Sequence, residues 1–413
     1  MATPTSDEES TTCLISGGGP AGMMLALLLA RAGVAVTVME KHADFLRDFR
    51  GDTVHASTLR LLDELGLGPV FERVPHRLIS SLTLKMMGTP LALNLDHLPG
   101  RHKHIALVPQ WDFLEMLATA AQAEPSFTLL RSTEVLGPTY HDGRVTGVRY
   151  RGPDGVERRM RAALTVACDG RSSVLRDAAG LVPRNYGAPM DVWWLRLPRR
   201  DGDPHGLNGA FENGHGAAVI DRGDYYQIAY LITKGSDAAL RAEGADGIGT
   251  LRRELSALVP WLADRVDALT SLDDVKLLDV QVNRLRRWYT DGLLLIGDAA
   301  HAMSPIGGVG INLAVADAVA AARILAGPLN AGTVSTRRLA RVQARRWLPA
   351  AVIQRVQTLA GDTIFAPMLA QTAGDRAPAG VRLAARSARL RAALAYGVAI
   401  GPLPEHAPAY ARR

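Results

Sequence analysis

The sequence predicts an α/β protein in which a mostly antiparallel β region is inserted into a nucleotide-binding-like body and a helical segment closes the C-terminus. Three observations carry this reading. Near the N-terminus an apolar run, Cys13 to Ser16, precedes Gly17, Gly19 and Gly22, an apolar helical stretch, and a second run, Val34 to Met39, that ends in Glu40. Near residue 300, Leu293 to Ile296 form a short buried-strand pattern. That run stops at Gly297-Asp298, and Pro305, Gly307, Gly308 and Gly310 lead into an alanine-rich helix from Asn312 to Leu325. Between these blocks, from Tyr186 to about Leu278, the pattern changes to long alternating strands.

Composition bounds the rest. A chain of 413 residues with 47% hydrophobic content has ample material for two or three structural units. No charge-free apolar run of about 18 residues is present, because Arg31 interrupts the longest one, and no leader pattern opens the chain, so a cytoplasmic protein is expected. The two cysteines, Cys13 and Cys168, sit in strand-like runs and read as small buried thiols. The net charge of +6 is confined to the tail: residues 331–413 hold 13 arginines against three acidic residues. With no nucleic-acid-binding module in the pattern, the charge argues for no nucleic-acid partner.

In chain order, residues 1–10 are polar and read as a frayed end. The GxGxxG of Gly17, Gly19 and Gly22, enclosing Pro20 and Ala21, lies between a strand and a helix, and Glu40-Lys41 closes the next strand. That context makes it a Rossmann-like dinucleotide fingerprint. Its glycines serve the turn, the close approach of a pyrophosphate and helix packing, while the acid takes a ribose hydroxyl, as in FAD or NAD. A polar segment, Arg50 to His55, precedes a short amphipathic helix, Thr58 to Leu65. Arg50 is a candidate contact to a cofactor and His55 a candidate facing the site, with a solvated arginine and a turn histidine as the plain alternatives. Leu82, Leu84 and Met86 alternate against Leu91, Leu93 and Leu95 around Gly88-Thr89-Pro90, a β-hairpin, and a helix starts just after Gln110. Strands follow at Phe127 to Leu130, Glu134 to His141 and Arg144 to Arg151, the last two joined at Asp142-Gly143. A further strand ends at the Asp169-Gly170 turn, and a short helix carries Arg171 and Arg176. DVWWLRLPR, GAFENGHGAAVI and DYYQIAYLIT read as three long strands, with Asp221 to Gly223 turning the last two, and a helix runs from Ala238 to about Leu258.

GGGPAG, CDGRSSVLR and LIGDAAHAMSPIGGVGIN, in this order and spacing across residues 12–325, resemble the three fingerprints of the para-hydroxybenzoate hydroxylase family of single-component FAD-dependent aromatic monooxygenases. The resemblance implies that Gly17, Gly19 and Gly22 hold the ADP part of FAD and Glu40 its ribose. It implies that Asp169 and Arg176 border the groove used by FAD and transiently by NADPH or NADH, that Asp298 binds the ribityl chain, and that Pro305, Gly307, Gly308, Gly310, Ile311 and Asn312 lie along the flavin ring. By position Arg50 and Gln110 match residues that reach FAD. It also implies a reaction: hydride transfer from NAD(P)H, oxygen addition at flavin C4a, and transfer of the distal oxygen of that hydroperoxide to an electron-rich carbon. The product is a hydroxylated or epoxidised aromatic or polyketide-like molecule. FAD-binding segments are expected at 11–80, 104–182 and 279–330, a substrate-binding sheet at 81–103 and 183–278, and a helical region at 331–413.

Deprotonation makes a phenol more nucleophilic, so a base in the pocket is worth seeking. His55 is the first candidate because an unperturbed imidazole titrates near working pH, and Tyr225, Tyr226 and His215 are secondary. Enclosure by shape alone is the alternative. Two other function classes stay open: another FAD redox enzyme, such as a halogenase, alkene reductase or oxidase, and a non-catalytic flavin-binding protein. Trp193-Trp194 partly resembles a halogenase motif, but the spacing differs and no matching lysine is present. The resemblance is expected to be to the shorter family members, without the thioredoxin-like C-terminal domain of the longer ones. The stretch Arg382 to Tyr396, with Arg386, Arg389 and Arg391, reads as a helix packed on the body or on a second copy, a membrane-surface helix being the lesser alternative.

Overall fold

The computed structural model describes residues 9–46, 53–372 and 376–413. The chain opens with β1 (Glu9–Ser16), α1 (Pro20–Arg31) and β2 (Val36–Met39), followed by α2 (Ala56–Glu64), the hairpin β3 (Ser81–Met86) and β4 (Thr89–Asn94), and α3 (Gln110–Gln122). Then come β5 (Phe127–Leu130), β6 (Glu134–His141), β7 (Arg144–Arg151), β8 (Glu157–Ala167) and α4 (Val174–Ala178). The inserted region contains β9 (Met190–Pro198), β10 (Leu207–Glu212), β11 (His215–Asp221), β12 (Tyr225–Thr233), α5 (Ala245–Leu258) and β13 (Lys276–Leu278). The chain ends with β14 (Leu293–Leu295), α6 (Gly310–Asn330), α7 (Thr336–Ala360), α8 (Ala379–Arg386) and α9 (Ala388–Ala399).

Two sheets dominate. In the first, β14, β8, β1, β2 and β5 lie side by side and all neighbours are parallel, while β7 and β6 extend β8 antiparallel. Parallel strands must be covered on both faces, and the C-terminal halves of β1 and β8 and the whole of β2 and β14 are accordingly buried. Helix α1 is apolar all round, so that residues Ala21 through Ala30 are all buried, and it packs between this sheet, α3 and α6. Helix α6 is long and apolar enough to span a membrane, yet 67% of its apolar window is buried inside the protein. Its hydrophobicity is explained by that burial.

The second sheet runs β13-β9-β12-β11-β10-β3-β4 and is antiparallel except where β10 meets β3. Alternation along β9 separates two cores: Met190, Val192 and Trp194 enter an inner cluster, Trp193, Leu195 and Leu197 an outer one. Helix α5 covers the outer face, contributing Leu251, Leu255 and Leu258. The inner face meets Ile105 and Leu107 of a small three-stranded sheet, and the tail helices contribute Phe365, Val381, Ala384 and Ala395.

Several expectations shift. The first hairpin turns at Met87-Gly88, both with positive φ (44° and 72°), so Thr89 and Pro90 belong to β4; that strand is at the sheet edge, where a missing N–H is tolerated. GAFENGHGAAVI is not one strand but the hairpin β10–β11, turned at Asn213-Gly214 (φ 54° and 83°). The helix expected from Ala238 is broken by Gly244 (φ 59°) into Asp237–Ala242 and α5. Helix α6 begins at Gly310 and continues to Asn330, beyond Leu325. The basic tail forms two helices, α8 and α9, on β4 of the body.

Candidate active site

Because the five central strands are parallel, their C-terminal ends open on one edge. The chain leaves β1 towards β2 on one side and returns to β8 on the other, and a crevice forms where such a sheet divides. The glycine turn after β1, Glu40 after β2, Asp169 after β8 and Gly297-Asp298 after β14 therefore share one rim.

The three fingerprint glycines have separate physical duties. A Cβ on Gly17 (φ 100°) would lie 2.6 Å from the Cys168 carbonyl oxygen, so this turn nests against the Cys168-Asp169 turn. On Gly22 it would lie 2.0 Å from the Gly17 oxygen, which makes the glycine obligatory for helix-to-strand packing. On Gly19 it would meet nothing within 4 Å. Gly19 is thus the open position, at the N-terminus of α1, where no side chain caps the helix and Pro20 and Ala21 begin it. Free N–H groups and the helix dipole favour an anion there.

Glu40 is buried at the end of β2 and accepts hydrogen bonds from the Gly18 N–H (2.8 Å) and from the His42 N–H (3.0 Å) and ring (2.8 Å). The neighbouring Lys41 is exposed. Gln110 is half-buried at the first position of α3, whose N-terminus is also uncapped. Arg50 lies outside the described residues. Asp169 has an Oδ1 atom buried without a partner, and burial raises its carboxyl above the usual range. Arg176 is buried in α4; its Nε donates to Asp177 (3.0 Å), while Nη1 has no acceptor. Arg171 precedes that helix and donates to the Asp279 carbonyl at 2.6 Å. Asp298 is half-buried and enters no hydrogen bond or ion pair among the described residues.

A buried network that sequence reading missed sets the turn at Asp298. The Asp317 carboxylate, in the middle of α6 and fully buried, accepts from the Gly297 N–H (3.1 Å), His301 Nε2 (2.6 Å) and Arg346 Nε (2.9 Å). Burial alone would raise this carboxyl, but the His301 and Arg346 contacts outweigh it and hold it below its ordinary value. The only acid in an alanine- and valine-rich helix was the available signal. Asn312 was expected along the ring edge, and its side chain is already occupied. Its Oδ1 accepts from the His55 N–H (2.9 Å) and Thr58 hydroxyl (2.8 Å), and its amide donates to the Thr53 carbonyl (3.1 Å). Gly307 (φ 80°) and Gly308 (φ 63°) need their left-handed backbone, and the Thr53 hydroxyl donates to the Gly308 carbonyl (2.8 Å). Helix α6 again starts uncapped, so Gly310, Ile311 and Asn312 present backbone N–H groups after Pro305.

The base candidates fare differently from their expectation. His55 is the N-cap of α2, 1% exposed, with Nδ1 2.7 Å from the Val398 carbonyl, so Nδ1 carries the proton and Nε2 is a bare acceptor. Burial pushes its pKa down to about 4. The premise of an unperturbed imidazole is therefore not met: at neutral pH it is an uncharged pin between α2 and the tail, and a weak base. Tyr226 is fully buried in the outer cluster, donating to the Pro204 carbonyl (2.6 Å). His215 bonds the Tyr230 hydroxyl (2.8 Å) near Glu254 of α5, on the same outer side. Both face away from the crevice. Tyr225 is half-buried under the Arg196 guanidinium, 4.9 Å from its ring centre.

The sequence matches the family described as an FAD binding domain over residues 10–356. A 6-methylpretetramide 4-monooxygenase of Streptomyces rimosus is 36% identical over 371 residues, 86% of this chain and 85% of the relative. Of solved structures, PqsL of Pseudomonas aeruginosa in complex with 2-aminobenzoylacetate superposes with a TM-score of 0.75 at 23% identity, covering 88% of this chain and 98% of its own. The anhydrotetracycline hydroxylase OxyS of Streptomyces rimosus gives a TM-score of 0.74 at 24% identity, covering 97% and 77%. At these identities the structures speak for the fold.

Two outcomes follow from the geometry. Gly19→Ala should fold normally, since its Cβ meets nothing within 4 Å, and should lose about tenfold or more in FAD affinity if that open space receives the pyrophosphate. Gly22→Ala should instead be destabilised by ~3 kcal/mol or fail to fold. Flavin occupancy and denaturant unfolding separate the two, and identical behaviour of both variants would contradict the division of duties. For His55, the folded pKa of about 4 lies below the unfolded value of 6.5, so its contribution is complete above pH 6.5 and is lost as pH falls towards 4. That loss amounts to ~3 kcal/mol. Unfolding free energies measured across that window should fall more steeply for the wild type than for His55→Gln; equal slopes would show that His55 is not buried neutral.

Proposed function

The chain belongs to the FAD binding domain family and is an FAD-dependent monooxygenase, and from that premise we propose that it hydroxylates a fused-ring, polyketide-type aromatic with NAD(P)H and O2. The observation that carries the substrate class is the 36% identity, over most of both chains, to a relative named for 6-methylpretetramide. The inner cluster is in keeping with it, since Met86, Leu93, Leu107, Phe211, Phe365 and Met368 gather apolar side chains between the second sheet and the tail helices.

The residues fit FAD on several independent points: open space at Gly19, uncapped helix starts at α1 and α6, an unpartnered Asp169 Oδ1 and an unengaged Asp298. We assign the pyrophosphate to Gly17 through Gly22, the adenosine ribose to Glu40 with Lys41 at the rim, and the ribityl chain to Gly297-Asp298. The flavin ring edge is assigned to Pro305 through Asn312, with Gln110, Asp169 and Arg176 along the groove. When bound, FAD would supply the redox chemistry, accepting hydride from NAD(P)H and delivering one atom of O2 to the substrate while the other leaves as water.

The chain supplies position and electrostatics. The N–H groups at the start of α6 favour negative charge on the reduced ring, and they are held in place beforehand by Asn312 and Asp317. The apolar wall keeps water from the reacting carbon. Neutral His55 orients the tail helix through Val398 and need not move a proton, so substrate enclosure rather than a titrating base is the working reading.

Purified FAD-loaded protein incubated with NADPH or NADH and a panel of hydroxylated anthraquinones and naphthacenes tests the proposal. Compound-dependent NAD(P)H oxidation, matching oxygen uptake and a product heavier by one oxygen are expected. Oxidation of NAD(P)H that no aromatic compound accelerates, or a product unchanged in oxygen content, would contradict it.

A further inference from the structure

The neighbouring indoles of β9 have opposite fates. Trp193 points into the outer cluster, where its Nε1–H donates to Asp237 at 2.7 Å and Arg241 lies over the ring. Trp194 belongs to the inner cluster, is 7% exposed, and its Nε1 has no hydrogen-bond partner. Its surroundings explain why. Trp194 sits opposite Ala229 on β12 and Lys276 on β13, and it belongs to the buried apolar cluster that includes Met190, Val192, Phe211, Leu231, Phe365 and Met368. Buried polar hydrogens without acceptors are uncommon, and each calls for a partner or a function. Phenylalanine would fill the same wall without that cost.

We propose that Trp194 is a specificity-determining residue whose indole N–H donates a hydrogen bond to a carbonyl or phenolic oxygen of the substrate. The inference rests on the reading that the inner cluster receives a fused-ring aromatic. It deepens that reading: the ligand carries an oxygen acceptor on the part of its ring system that lies against β9. An indole is a donor only, so the group it recognises is an acceptor. In a site otherwise apolar, one such bond discriminates strongly against an analogue that lacks the oxygen, because the donor is then left buried and unpaired.

The test compares wild type with Trp194→Phe, which keeps an aromatic ring and removes the N–H. FAD-loaded proteins are titrated with 1,8-dihydroxyanthraquinone and with anthracene, and binding is read from perturbation of the flavin spectrum. Flavin occupancy and thermal midpoint of the variant serve as the control for folding. The expected result is about tenfold weaker binding of the anthraquinone by the variant, with anthracene bound equally by both. Equal anthraquinone affinity in the two proteins overturns the inference and leaves the substrate class standing. Parallel loss of both compounds also overturns it, since Trp194 would then only shape the wall. If the wild type binds neither compound, the substrate class itself fails and the inference falls with it.

Discussion

The Asp317 carboxylate joins three parts of the chain that are otherwise far apart: the turn at Gly297-Asp298, the middle of α6 and, through Arg346, helix α7. A fully buried carboxylate is costly unless paired and hydrogen-bonded, and here three donors satisfy it. Removing Arg346 would take away the guanidinium that pairs with this buried carboxylate. Arg346 is itself 1% exposed and also approaches Glu405 at 3.7 Å, so the C-terminal extension is tied to the same junction. The consequence for function is preorganisation. The turn at Gly297-Asp298 and the start of α6 are set by a network that needs no cofactor to form it.

On the other side of that junction the tail completes the second sheet. Helices α8 and α9 pack on the edge strand β4, burying Val381, Ala384, Ala395 and Ala399, and the Val398 carbonyl accepts a hydrogen bond from His55 Nδ1–H. An edge strand left bare would expose unpaired backbone groups. The basic residues of the tail therefore ride on helices whose other face is structural, and the inner apolar wall is built jointly by the sheet and the tail.

The N-terminal fingerprint was legible because its demands are local: glycine spacing, a strand before, a helix and an acid after. Gly17 and Gly22 take up the turn and packing duties that spacing suggests, and Gly19 is the open position. Asp317, His301 and Arg346 were not legible, since their partners lie up to 29 residues apart and no local pattern links them. Alternation along β11 and β12 marked two faces but not which faced the crevice, so His215 and Tyr226 were placed over a pocket from which they turn away. Asn213-Gly214 carried a hairpin signal that the apolar alternation on either side masked. His55 looked like a titrating group because sequence carries no record of burial, and burial decides its ionisation.

The central claim is that four turns on one sheet edge, the one at Gly297-Asp298 braced by Asp317, form the FAD site. Amide hydrogen exchange of the protein with and without FAD tests it most directly. The account predicts FAD-dependent protection concentrated in residues 16–23, 40–42, 168–176 and 297–313, with the outer core around α5 unchanged. Protection that spares the turn at Asp298 and the start of α6, or that is strongest around α5, would contradict it.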